Sequence, residues 1–178
     1  SWQERISCRF ADMVITVSEH WRETLVDRGV PKNKCRVVMN TADERIFTFR
    51  PELAERIPEE GTLSLIYHGS VHDRYGLDLA MDAVAHLKEE IPGIHLTIIG
   101  SGAFLEELKH RVNSQGLGDY VTIDGLHLAE ELPDLICQHD LGIVPYRDDV
   151  FTDGLVPTKL MEYAALGLPS VASRTTAI

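Results

Sequence analysis

Two periods of apolar spacing take turns along this chain. From position 62 onward, β-favouring apolar runs at Leu63 to His68, Ile94 to Ile99, Val121 to Ile123, Asp140 to Val144 and Pro169 to Ala172 each read as a strand. Between them the spacing turns helical. Leu77, Ala80, Met81, Val84 and Leu87 form one set; Phe104, Leu105, Leu108 and Val112 a second; Leu128, Leu132, Leu135 and Ile136 a third. Alternating strands and helices predict an α/β fold, a doubly wound parallel sheet with right-handed crossovers. In such sheets a ligand lies beyond the carboxyl ends of the strands, near the switch in strand order. His68-Gly69-Ser70, Gly100-Ser101-Gly102, Asp124-Gly125-Leu126-His127, Pro145-Tyr146-Arg147 and Ser173 all fall at such ends.

Upstream the pattern is sparser. Trp2, Ile6 and Phe10 recur every four residues and predict a helix packed by one edge, followed by a strand at Met13 to Val17. Ser18 is a suitable N-cap for a helix carrying Trp21 and Leu25 that ends near Gly29 and Pro31, and Arg36 to Met39 reads as another strand. From Asn40 to Gly61 the periodicity dissolves into charges and two prolines, Pro51 and Pro58, as in a linker. We expect 1–48 to be the remnant of one domain, 49–61 a linker, and 62–178 a domain truncated at its C-terminus. The start lacks a methionine and the end follows directly on a strand, so the sequence reads as a fragment.

Composition narrows the function classes. The net charge of −11 and the absence of a basic cluster among 17 Lys and Arg argue against nucleic acid, so any anion site must be local. Cys8, Cys35 and Cys137 are odd in number and widely spaced, which fits reduced thiols in a cytosolic protein. No apolar run approaches the roughly 18 residues of a membrane span. His20, His86, His95, His110 and His139 show no metal-ligand spacing, and no nucleophile elbow or Walker loop occurs.

The strongest local chemistry is in Val156-Pro157-Thr158-Lys159-Leu160-Met161-Glu162-Tyr163 and the helix that follows. Pro157 suits the first helical position and Gly167 the left-handed closing residue. Leu160, Met161, Ala164 and Ala165 form an apolar stripe that is expected to turn Lys159 and Glu162 toward the loop side. The N–H groups of the first turn attract an anion, and Lys159 adds a full charge. Glu162 would accept hydrogen bonds from sugar hydroxyls. The pair suits a nucleotide or sugar phosphate held at both ends; an exposed helix with an (i, i+3) ion pair is the other reading of the same spacing. Gly100-Ser101-Gly102 begins like a dinucleotide fingerprint but has Leu105 at the third glycine position, and is expected to be a tight turn approached by the sugar part of a ligand.

Pro157-Thr158-Lys159, Glu162-Tyr163, Ala165, Gly167 and Pro169 with the strand to Ala172-Ser173 resemble the donor-binding motif of the family-four, GT-B-fold retaining glycosyltransferases. Segments around Ala11–Glu19, Val37–Asp43 with Phe47, Ile66–Ser70 through Arg74–Asp78, Ile98–Gly102 and Asp140–Pro145 agree in order, so the resemblance covers nearly the whole chain. It implies a Rossmann-like donor domain, the C-terminal half of such an enzyme, and metal-independent binding of a nucleotide diphosphate sugar with no cofactor. By resemblance Gly69, Ser70 and Arg74 form the phosphate loop. The family's more common arginine is Ser70 here and its lysine is Tyr75, so Arg74 is expected to supply the charge. Gly100 and Gly125, Leu126 and His127 are expected near the sugar and base. Thr152, Asp153, Gly154, Leu155, Val156 and Thr158 would line the pocket, with Lys159 on phosphate and Glu162 on ribose. The first of the family's two spaced carboxylates falls at Gly154, with Asp153 adjacent, and is missing or displaced.

The resemblance implies transfer of a sugar, with retention, from a nucleotide diphosphate to an acceptor hydroxyl in polysaccharide biosynthesis. Catalytic residues and the site for an acceptor glycan or lipid-linked sugar would lie largely in a missing domain, leaving this chain to bind its donor in the cytoplasm, with any membrane contact peripheral. A sugar-nucleotide epimerase of the same fold and a non-catalytic doubly wound interaction domain are the alternatives.

Overall fold

The protein, described by a computed structural model over residues 2–178, contains a five-stranded parallel sheet and a separate two-stranded one. The small sheet pairs β1 (Val14–Thr16) with β2 (Cys35–Val37). Before it runs α1 (Trp2–Phe10) and within it α2 (Glu19–Asp27), whose N-cap is Ser18, accepting the Trp21 N–H at 3.3 Å as the sequence predicts. α1 departs from expectation. It buries no residue, and Trp2, Ile6 and Phe10 are 77, 48 and 91% exposed, so the predicted packing edge faces outward.

The first part of the segment read as a linker is tied to the body, while residues 55–61 are exposed. That first part contains the short helix α3 (Pro51–Ala54), buries Leu53, and is held by the Arg50 N–H on the Leu166 carbonyl and by an Arg50–Asp134 ion pair at 3.1 Å.

The larger sheet comprises β3 (Thr62–His68), β4 (Gly93–Ile99), β5 (Val121–Asp124), β6 (Leu141–Val144) and β7 (Ser170–Ala172), in the order β5-β4-β3-β6-β7. The helices α4 (Leu77–Leu87), α5 (Leu105–Ser114), α6 (Leu132–Ile136) and α7 (Thr158–Leu166) connect them. The chain winds outward from β3 through β4 to β5, then returns to the other side of β3 for β6 and β7. Right-handed crossovers therefore place α4 and α5 on one face and α7 on the other, and the direction of winding switches between β3 and β6. Ile66, Tyr67, Leu96, Ile98 and Val144 fill the sheet, with Met81, Val84, Leu108 and Ile136 packed on it, all at most 0–1% exposed.

Two helices differ from the sequence reading. α6 begins only at Leu132, and Leu128 is 67% exposed. In α7, Pro157 is the N-cap with extended backbone rather than the first helical residue, while Gly167 closes the helix in the left-handed region as expected. The face of α7 is also rotated from the predicted stripe. Its buried residues are Lys159, Tyr163 and Leu166, whereas Ala164 is exposed and Leu160, Met161 and Ala165 are half-buried. The aliphatic stripe is too small to cover the β6–β7 face, and the large Tyr163 ring, held by a hydroxyl donating to the Ile66 carbonyl at 3.1 Å, sets the helix orientation instead.

Candidate functional site

A cavity of about 320 Å³ opens at the carboxyl ends of β3 and β6, where the winding switches. Its walls are His68, Gly69, Ser70 and Tyr75 from the β3 side, Tyr146 after β6, Leu155 to Lys159 and Glu162 around the start of α7, and Asn40 from the upstream segment. A larger cavity of about 590 Å³ lies among α1, α2 and the turn into β2, far from any strand end of the main sheet. The smaller cavity is the candidate, because it combines the switch point, a helix N-terminus and buried ionisable groups.

Lys159 is the centre of this cavity. It is 8% exposed, and its Nζ donates to the Tyr146 hydroxyl at 2.8 Å. The same atom lies 4.5, 5.6 and 5.1 Å from the ring centroids of Tyr67, Tyr75 and Tyr146. Burial lowers its pKa to about 8, against the pull of Glu162. The ion-pair reading of Lys159 and Glu162 does not describe the site. Glu162 turns to His68 instead, with Oε2 at 3.2 Å from Nε2, and burial raises its pKa despite Lys159. His68 is buried, edge-on to Tyr163 at 5.2 Å, and held neutral with a pKa lowered to about 3 by burial and by Lys159. The 3.2 Å approach to Glu162 is within reach of a hydrogen bond but lacks its alignment, so Nε2 is left without a hydrogen-bond partner. Gly69 lies against Lys159: a Cβ there would stand 3.4 Å from both Cε and Nζ. The site therefore offers one buried cation, the N–H groups of the first turn of α7, and a carboxylate beside a neutral imidazole. That set suits an anion joined to a hydroxylated group.

Of the residues singled out in the sequence, Gly69, Ser70, Leu155, Val156, Thr158, Lys159 and Glu162 line the cavity. The others lie elsewhere, each for a visible reason. Arg74 is exposed, with its guanidinium over the Phe151 ring at 4.7 Å, and is not among the lining residues of the cavity. Gly100 and Gly102 serve loop packing. A Cβ would stand 1.9 Å from the Gly69 carbonyl oxygen at Gly100 and 2.1 Å from the Val71 carbonyl oxygen at Gly102, so the β3 loop leaves no room for a side chain at either position. Gly125 and Leu126 lie on an exposed loop, and His127 is held by Asp124 at 2.8 Å and Glu131 at 3.4 Å.

The loop before α7 is built by its own polar groups. Thr152 is fully buried, its hydroxyl bonded to the Arg147 carbonyl and accepting the Asp149 N–H at 3.0 Å. Asp153 accepts the Thr176 N–H at 2.8 Å and so anchors the C-terminal segment. Gly154 meets Trp21 of α2: the indole Nε1 donates to its carbonyl at 2.6 Å, and a Cβ would stand 2.6 Å from the ring. The position of the missing first carboxylate is thus closed by an aromatic ring from the upstream segment. Sequence reasoning put His68 and Tyr146 at strand ends where a ligand lies and noted Tyr75 in place of a lysine, but gave none of them a role, and it missed Tyr67.

Residues 62–178 match the family model of the glycosyl transferases group 1. The chain is 27% identical over 93% of its length to a putative colanic acid biosynthesis glycosyltransferase, WcaL, of Escherichia coli, covering 40% of that protein. It is also 27% identical over 93% of its length to a GDP-mannose-dependent alpha-(1-6)-phosphatidylinositol monomannoside mannosyltransferase of Mycolicibacterium smegmatis, covering 45% of it. Among solved structures, Alr3699/HepE of Anabaena, in complex with UDP and glucose, superposes with a TM-score of 0.74 at 18% identity over 97% of this chain and 47% of that one. The chain thus spans under half the length of these proteins. The α/β fold with its parallel sheet agrees with the sequence reading and with the Rossmann-like half of GT-B proteins.

Proposed function

This chain belongs to the glycosyl transferases group 1 family, and on that premise we propose that it is the donor-nucleotide half of a retaining hexosyltransferase acting in polysaccharide biosynthesis. Residues 62–178 bind a nucleotide diphosphate sugar; 49–61 join them to 1–48, the last part of an acceptor domain. The observation that carries the reading is Lys159, a buried cation within the first turn of α7 at the switch point, with Glu162 one helical turn further on. The diphosphate sits on Lys159 and the first-turn N–H groups, which stabilise it as a leaving group without a metal or other cofactor. Glu162 accepts from the ribose hydroxyls. The sugar subsite has no carboxylate at position 154, where Trp21 stands, and this disfavours an epimerase that would need paired carboxylates there. The acceptor, a glycan or lipid-linked sugar, is taken up by the rest of the enzyme, and the isolated chain binds donor without turnover. We place the enzyme in the cytoplasm, in keeping with three free cysteines.

Calorimetric titration with a panel of nucleoside diphosphates and the matching nucleosides tests this reading. The parent chain should prefer diphosphates, equally with and without a chelator. Lys159→Met should lose about ten- to hundredfold in diphosphate affinity and little for nucleosides, the worth of a charge-assisted hydrogen bond. A strict metal requirement, or equal weakening toward both ligands, would overturn it.

A further inference from the structure

The lysine at the centre of the cavity is enclosed by an arrangement of rings that the nucleotide reading alone does not require. Tyr67 comes from β3, Tyr75 from the turn before α4, and Tyr146 from the end of β6; all three rings lie within 6 Å of the Lys159 ammonium. Tyr75 and Tyr146 stack on each other at 4.7 Å with planes 24° apart, which fixes the Tyr146 ring. The Tyr67 hydroxyl is already committed to the Ser70 carbonyl at 2.6 Å. That leaves the Tyr146 hydroxyl as the one bound to the ammonium, at 2.8 Å. Among the described residues, no carboxylate comes within ion-pair distance of Lys159; the Glu162 Oε2 lies instead 3.2 Å from His68 Nε2.

A buried ammonium hydrogen-bonded to a phenol, with Glu162 acting on it from beyond ion-pair distance, keeps its charge available to an incoming anion below about pH 8. Ring faces attract the cation without neutralising it, and a phenol oxygen accepts one of its three protons. We propose that Tyr146, braced by the stacked Tyr75, is a positioning residue that keeps Lys159 protonated and aimed into the cavity for the diphosphate. This rests on the diphosphate reading of the same cavity.

The groups facing the ammonium are Tyr67 and His68 from β3, Tyr75 and Tyr146 from the two loops, and Glu162 on α7 itself. Burial pushes the hydroxyls of Tyr67 and Tyr146 well above their ordinary value, so both remain protonated through the working range. His68 is neutral there. The ionisation that matters above neutrality is then that of Lys159. Taking away the acceptor that favours its charged form lowers the pH at which the cation is lost.

The test is the affinity for UDP and GDP measured between pH 6 and 9 on the parent chain, Tyr146→Phe, Tyr75→Leu and Lys159→Met, each checked for cooperative unfolding. In the parent chain binding should weaken as pH rises through about 8, the value to which burial brings Lys159. In Tyr146→Phe the midpoint should fall by about one pH unit, with a loss approaching tenfold on the alkaline side. Tyr75→Leu, which removes the brace, should shift it in the same direction. Uniform weakening of Tyr146→Phe at every pH, with the midpoint unmoved, would mean that Tyr146 does not keep Lys159 protonated and would overturn the proposal, as would an unmoved affinity and midpoint. If Lys159→Met binds as the parent does, the diphosphate reading itself fails. If Lys159→Met loses affinity while both tyrosine variants keep the parent's pH midpoint, only the positioning role fails.

Discussion

Two stretches of the same rim, both at carboxyl ends of parallel strands, have developed in opposite ways. At β3 and β6 the connections leave toward opposite faces of the sheet, and a cavity remains between them, lined by a buried lysine, a buried neutral histidine and a half-buried glutamate. At β3 and β4 the connections run the same way, and the Gly100–Gly102 turn is pressed onto the β3 loop through the Val71 N–H on the Ser101 carbonyl and the Phe104 N–H on the Val71 carbonyl. What remains at β5 is an exposed loop with an ion-paired histidine. Strand ends are equivalent in sequence pattern; the cavity that combines a helix N-terminus with buried ionisable groups lies where the winding reverses.

The two histidines make this difference measurable, and their signs are opposite. His68, between the cavity and the core, has a folded pKa of about 3 against an ordinary 6.5. The unfolded chain therefore takes up its proton first, and the stability that depends on neutral His68 is complete above pH 6.5 and lost as pH falls toward 3. The loss should amount to roughly 3–5 kcal/mol, and His68→Asn should flatten the slope of urea-unfolding stability in that window. His127 is shifted upward by Asp124 first and then Glu131. Its small contribution is complete below its ordinary value and lost as pH rises through the raised one, so His127→Ala should leave the slope unchanged between pH 6.5 and about 5, where Asp124, held low by His127, stays ionised in both states. A parental slope that survives in His68→Asn would break the comparison.

The glycines at the two stretches should separate next. Gly102→Ala drives a Cβ to 2.1 Å from the Val71 carbonyl oxygen and should cost roughly 2–4 kcal/mol by displacing the β3 loop. Gly125→Ala meets nothing within 4 Å and should change stability by no more than about 0.5 kcal/mol. Chemical denaturation of both variants decides the matter, and a neutral Gly102→Ala would show that the β4 turn leaves space for a ligand after all.

The smallest expected effect is the most specific. Glu162→Ala should bind a ribonucleoside diphosphate less well by about 1 kcal/mol while its affinity for the 2′-deoxy form stays near that of the parent, since only the hydroxyl contact is removed. Equal weakening of both forms in the titration would detach Glu162 from the ribose.

Much of this molecule is legible from local spacing. The order and type of the main-sheet elements, the Ser18 cap, the Gly167 closure, and the placing of Lys159 and Glu162 at a strand-to-helix junction all depend on residues a few positions apart, which interact through the geometry of one helix turn or one strand. The same local rules misjudged the face of α7, because the stripe of Leu160, Met161, Ala164 and Ala165 says nothing of how large a neighbour Tyr163 must fit against β6. They also gave no sign that the Arg74 guanidinium would lie over Phe151, 77 positions later. The tyrosines around Lys159, the pairing of Glu162 with His68 and the closing of Gly154 by Trp21 each join segments far apart in the chain. Sequence alone determined the elements and the helix that carries the charge. Which groups surround that charge was decided by the strand order, because only the folded sheet brings the ends of β3 and β6 together.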